Sequence, residues 1–103
     1  MIVHAVMFYI KKQTSIELRQ KAIQTVQQQL MSLKEHVQSL QDCHVGVNEI
    51  DSARAADLLL LTYFASWKDL NTYRDHAYHQ QVLAHIKPFI EKSVVVDYSQ
   101  PPV

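Results

Sequence analysis

Tyr73, His76 and His79 recur at every third position within the stretch TYRDHAYHQQ. Histidine is the side chain whose unperturbed pKa lies closest to neutral pH, and a neighbouring tyrosine supplies a phenolic donor. The combination points to proton transfer. His79 would act as a general base that removes a proton α to a carbonyl, while Tyr73 holds or protonates the developing oxyanion. The plainer alternative is a histidine that caps a turn or a helix start by bonding to backbone. A second chemistry, metal binding, needs more than this stretch offers. A shared helix would put His76 and His79 on one face, but zinc requires at least a third ligand, for which Asp75 and His85 are the nearest candidates. HxxH without an acidic partner at fixed spacing is a weak pattern, so neither a metal nor a cofactor is expected. Gly46 is the only glycine, which leaves no glycine-rich loop to cradle a phosphate.

His4 stands on one side of an apolar strand with Val6 and Phe8. The ordinary reading is a buried histidine with one hydrogen bond. The functional one is a polar group in a greasy cavity, the usual construction of a small-molecule pocket. His36, His44 and His85 read as surface or packing residues, and Phe64, Trp67 and Phe89 as core. Cys43 has no cysteine partner and no nucleophile motif around it, so a structural role is expected.

These side chains need elements to hold them. Ile2 to Ile10 is rich in β-branched and aromatic residues and predicts a strand. Thr14 followed by Glu17 has capping-box spacing, which opens a helix. Ile23, Val26, Leu30, Leu33, Val37 and Leu40 then step by three and four, the stripe of one long helix. Residues 43–50 predict a second strand and 57–65 a strongly apolar third. Ser66 and Asp69 repeat the capping-box spacing and start a helix through Trp67, Leu70 and Tyr73. A further helical piece is expected from Tyr78 to Lys87, ended by Pro88, with a last strand at 93–98. The domain thus covers 1–98, with a tail at 99–103. Strand, helix, strand, strand, helix, strand is the order of an α+β, ferredoxin-like βαββαβ domain with a four-stranded antiparallel sheet.

That sheet has a problem. In the first strand Val3, Ala5, Met7 and Tyr9 oppose His4, Val6, Phe8 and Ile10, and in the third Leu59, Leu61 and Tyr63 oppose Leu58, Leu60 and Phe64. Both faces are apolar, yet two helices cover only one. An uncovered apolar face of several hundred Å² marks an interaction site. A second copy of the chain, packed sheet to sheet with two-fold symmetry, is the simplest cover. A homodimer through the sheet face is therefore expected.

Composition limits the partners. The 103 residues carry ten basic and ten acidic side chains, so no net field draws nucleic acid or an anionic membrane. The start MIVHAVMFYIKK is apolar before it is basic, the reverse of a signal peptide, and too short to span a bilayer. With a lone cysteine this predicts a cytoplasmic protein.

Three segments, MIVHAVMF, HAYHQQVLAHIKPFI and VVVDY, resemble in order and spacing the stress-responsive A/B barrel domain proteins of the dimeric α+β barrel superfamily. The resemblance implies the dimer argued above, its two sheets closing into a barrel around a hydrophobic small-molecule pocket. Most members of that family have no established reaction. A plant branch includes polyketide cyclases, olivetolic acid cyclase among them, in which a tyrosine and a histidine drive ring closure. The matching positions are Tyr73 and His79, with His4 matching a histidine that lines the same pocket. The resemblance thus implies a ligand site of His4, Val6, Phe8, Tyr73, His76 and His79, for a hydrophobic or aromatic compound. Tyr78 replaces a small residue and is expected to narrow the pocket. Ala77 takes a proline position, and Leu58 replaces a histidine of the cyclases. Three functions follow: a binding module, a cofactor-free enzyme of polyketide-cyclase or related enolate type, and, by superfamily kinship, a cofactor-free monooxygenase.

Overall fold

The computed structural model describes residues 1–101 and contains the expected βαββαβ order with extra breaks. The strands are β1 (Ile2–Ile10), β2 (Asp42–Val47), β3 (Leu58–Phe64) and β4 (Ile90–Ser99). They form one antiparallel sheet in the order β2-β3-β1-β4, so the two most apolar strands lie at the centre. The helices are α1 (Ile16–Met31), α2 (Leu33–His36), α3 (Trp67–Asp75) and α4 (Ala77–Ile86), with a single 3₁₀ turn at Lys87–Phe89.

Register assigns the two faces. His4 pairs with Thr62 and Asp97, Val6 with Leu60 and Val95, and Phe8 with Leu58 and Ser93. Side chains at paired positions share a face. This face meets the helices and holds the core, where Val26, Leu30 and Leu33 from the first helical layer pack with Leu70, Val82 and Ile86 from the second. The opposite face carries Ala5, Met7, Leu59, Leu61, Val94, Val96 and Tyr98, and no element among the described residues covers it. Met7 is 46% exposed and Val96 62%. Val3 is buried even there, because its cross-strand neighbours on both sides are the large rings of Tyr63 and Tyr98.

Several local expectations are corrected. Ser15, not Thr14, caps α1, its hydroxyl accepting from Leu18 N–H at 3.1 Å. Ser66 caps α3 as its spacing predicts, accepting from Asp69 N–H at 3.1 Å. The long helix is not continuous. It breaks at Ser32, whose hydroxyl donates to Gln29 carbonyl at 2.6 Å and competes for a backbone acceptor. After α2 the chain turns extended at Val37, yet Val37 and Leu40 are still buried. The apolar stripe thus reports burial correctly across a change of backbone. Trp67, expected in the core, is 48% exposed at the start of α3. β2 ends at Val47 rather than residue 50, and β4 begins three residues before the expected start. Ser99 still pairs with Ile2, and Gln100 N–H donates to Met1 carbonyl at 2.8 Å. Of the tail expected at 99–103, Pro102 and Val103 lie outside the described residues.

Asp57 ties the sheet to the first helix. Its carboxylate accepts from Ile10 N–H at 2.7 Å and pairs with Arg19 of α1. Lys11 N–H, one residue on, donates to Phe89 carbonyl at 2.8 Å, joining the end of β1 to the 3₁₀ turn.

Candidate functional site

A cavity of about 310 Å³ lies between the sheet and the helices. Its size is at the lower end of the range for small-molecule sites. Val6, Phe8, Leu60 and Val95 form the sheet wall, and Leu30, Leu33, Val82 and Leu83 the helical wall. The polar groups gather at one end: His4 from β1, Tyr73 and Arg74 from α3, and His79 from α4.

The break between α3 and α4 brings Tyr73 and His79 together. His76 ends one helix and starts the next, with extended backbone at φ −67° and ψ 134°. Its Nδ1 accepts from Tyr78 N–H at 3.0 Å, a side-chain N-cap. One nitrogen of the imidazole is therefore used by the fold, and His76 is not on the wall of this cavity, whereas His4, Val6, Phe8, Tyr73 and His79 are. The capping role weighed for a histidine of this stretch thus falls to His76. Beyond the turn, the His79 ring meets Tyr73 with ring centroids 4.3 Å apart.

His79 Nδ1 lies 3.2 Å from the Arg74 carbonyl oxygen. A carbonyl only accepts, so Nδ1 carries the proton and donates. Nε2 is then left with its lone pair, the tautomer a general base requires. Burial holds the His79 pKa below its ordinary 6.5, with the charges of His4, Arg74 and His76 acting in the same direction and the Arg74 carbonyl against it. The ring is thus neutral at pH 7. Gln80 Nε2 also donates to this carbonyl at 2.7 Å and fixes the acceptor in place.

Tyr73 is fully buried at 0% exposure and packs on Phe64, with centroids 5.1 Å apart. Burial pushes its phenol well above the usual range, so the hydroxyl keeps its proton. That hydroxyl has no hydrogen-bond partner among the described residues. A buried donor without an acceptor is costly, and this one belongs to a side chain that lines a cavity.

Two residues that the sequence did not single out complete the polar end. Asp97 of β4 accepts from His4 Nδ1 through one oxygen and from Arg74 through the other at 2.8 Å. His4 is held by this bond with its ring edge toward Tyr73, centroids 6.3 Å apart. The only available signal was that Asp97 is the one charged residue within VVVDY, and its meaning depended on the register that sets it opposite His4.

Tyr78 does not narrow the cavity. Its ring stacks on His36 at 4.0 Å and 8°, and its hydroxyl donates to Ser32 Oγ at 2.7 Å. It leans away from the cavity, onto the break between α1 and α2. His36 is exposed, as expected, with one face of its ring against Tyr78. Leu58 belongs to the core and not to the cavity wall. Among the described residues no three His, Cys, Asp or Glu side chains gather as a metal-ligand set, and no helix is long and apolar enough to cross a membrane. Cys43 is half-buried on β2, with its thiol pKa raised by burial.

The model of the stress responsive A/B barrel domain matches residues 2–100. Among solved structures, the chain is similar to a dimeric protein of unknown function with a ferredoxin-like fold from Bacteroides fragilis. That pair shows 18% identity and a TM-score of 0.83, covering 96% of this chain and 95% of the other. A hydroxynitrile lyase from Passiflora edulis matches at 21% identity and a TM-score of 0.78, covering 94% and 90%. A Dabb family protein from Mesorhizobium loti matches at 18% identity and 0.72, covering 98% and 97%. Among curated proteins, none matches this chain.

Proposed function

The chain belongs to the stress-responsive A/B barrel domain family, and we propose that it is a homodimer whose cavity takes an uncharged hydrophobic carbonyl compound and moves a proton on it without a cofactor. The observation that carries this reading is Tyr73, a fully buried side chain on the wall of an apolar cavity with its ring beside His79 and its hydroxyl without a partner among the described residues. His79 Nε2 would take a proton from the carbon α to the carbonyl, and the Tyr73 hydroxyl would donate a hydrogen bond to the oxygen as it gains charge. Because the phenol is held above its usual range by burial, it acts as a donor that keeps its proton and not as an acid that gives it up. His4, fixed by Asp97, offers its remaining nitrogen at the same end of the cavity. Among the described residues Arg74 is the one cation on the wall, and it is already paired with Asp97, which favours an uncharged ligand.

The test is deuterium uptake by hexanone at its α carbons in D₂O. Wild type should exchange these hydrogens faster than His79→Ala by about 10²–10⁴-fold, with hexanone binding retained in the variant. Equal exchange in both proteins removes His79 as the base and leaves a binding module. The likeness to an antibiotic biosynthesis monooxygenase, 13% identical with a TM-score of 0.69 over 99% of this chain and all of the other, is one of fold and favours no oxygen chemistry here.

The dimer half of the proposal rests on the uncovered sheet face, with Met7, Val94, Val96 and Tyr98 each more than two-fifths exposed. A native mass near twice 11.9 kDa is expected; a monomer at micromolar concentration would sink it. The unpaired Cys43 favours a cytoplasmic setting.

A further inference from the structure

The cavity does not end at Phe8. A second space of about 240 Å³ is lined by Phe8, Leu83, Ile86, Lys87, Ile90 and Ser93. Three of those residues, Phe8, Leu83 and Ser93, also line the first cavity. The two spaces therefore adjoin across a neck made from β1, β4 and α4.

Register orders the whole run. Along the helix-facing side of β1 come His4, Val6, Phe8 and Ile10, and beside them on β4 come Asp97, Val95, Ser93 and Ile90. Along α4 the sequence is His79, Val82, Leu83 and Ile86, in the same order from the first cavity to the second. His4, Tyr73, Arg74 and His79 all occupy the first tier. Beyond it the walls are aliphatic or aromatic, apart from Ser93 at the neck and Lys87 at the far rim. Lys87 is exposed, and a lysine stem covers apolar surface while its ammonium remains in water. A strand advances about 3.4 Å per residue, so the distance along β1 from His4 to Ile10 is about 20 Å.

We propose that the two spaces form one channel for an elongated ligand, with its carbonyl head between His4, Tyr73 and His79 and an unbranched aliphatic tail passing the Phe8–Leu83–Ser93 neck into the groove at Ile86 and Ile90. Leu83 then determines chain length. It is 38% exposed, so a change in its size alters the neck with little effect on the buried core. The inference rests on the pocket reading above and adds the substrate class: linear alkyl carbonyl compounds rather than compact or aromatic ones.

The experiment is a binding series of methyl ketones from hexanone to dodecanone on wild type and on Leu83→Trp. Binding is followed by the methyl NMR signals of the protein. Burial of each added methylene should tighten binding about fourfold, and in wild type the gain continues to dodecanone. The Ile90 methyls should move only with the longer ketones. In Leu83→Trp the gain, measured from that variant's own hexanone binding, stops partway along the series, because the larger ring closes the neck. A wild-type gain that stops where the variant's stops, or a variant that binds dodecanone as wild type does, overturns the channel and leaves the head site standing. Hexanone failing to bind wild type overturns both.

Discussion

Replacing Tyr73 by Phe removes a single oxygen and keeps the ring. That ring is fully buried, packed against Phe64 and His79, and its hydroxyl has no partner among the described residues. Leaving such a donor unpaired in the interior costs about 1–3 kcal/mol. Because the substitution leaves the shape unchanged, Tyr73→Phe should stabilise the unliganded protein by about 1–2 kcal/mol. A domain of this length shifts its Tm by roughly 4–8 °C for each kcal/mol, so a rise of about 4–16 °C is expected. Thermal unfolding should be compared at one protein concentration, since a dimer's Tm depends on it. In the same variant, α-deuteration of hexanone should fall by about 10²–10³-fold, the usual loss when one donor to a developing oxyanion is removed. Gain in stability together with loss of exchange is the signature of a donor held ready for a ligand. A lower Tm in Tyr73→Phe would mean that the hydroxyl is already bonded in the folded state, and the reasoning would fail.

Burial holds His79 below its ordinary 6.5, so as pH falls the unfolded chain takes up the proton first. The stability tied to a neutral His79 is complete above 6.5 and is lost as pH falls toward the lowered folded value, so between about pH 7 and about pH 5 wild type should lose more Tm than His79→Gln. Asp57→Ala strips an acceptor from Ile10 N–H and leaves Arg19 without its partner; a loss of about 1–3 kcal/mol in urea unfolding is expected, against less than about 1 kcal/mol for Arg19→Ala, whose side chain is 41% exposed. Val96→Lys puts a charge on the open sheet face and should give a folded monomer by native mass and circular dichroism. Tyr78→Ala removes the stack on His36 and the bond to Ser32, which should lower Tm while hexanone binding is kept, because Tyr78 is not on the cavity wall.

The central strands were plain in the sequence because Val, Leu and Phe runs have little other use in a small domain, and their two-sided apolarity survives in the structure as an open face. Alternation alone did not say which face the helices take, since that depends on register across β3 and β4. The break at Ser32 was hidden for a different reason. Leu33, Val37 and Leu40 continue the three-and-four spacing through it, and spacing follows burial more faithfully than backbone angles. In TYRDHAYHQQ the residue types were informative, but their roles hinged on where one helix stopped. With the break at His76, that ring caps α4 and the ring three residues later meets Tyr73. Asp97 was harder still, since its partner His4 lies at the other end of the chain and only strand pairing joins them.

Proton transfer in the cavity depends most on the state of His79, and nitrogen NMR of its imidazole reads that state directly. With Nδ1–H given to the Arg74 carbonyl, the ring should be neutral at pH 7 with Nε2 unprotonated. It should titrate below 6.5, and the Nε2 signal should move when hexanone is added. A ring that is charged at pH 7, or that carries its proton on Nε2, would contradict the account, because His79 could then not serve as the base.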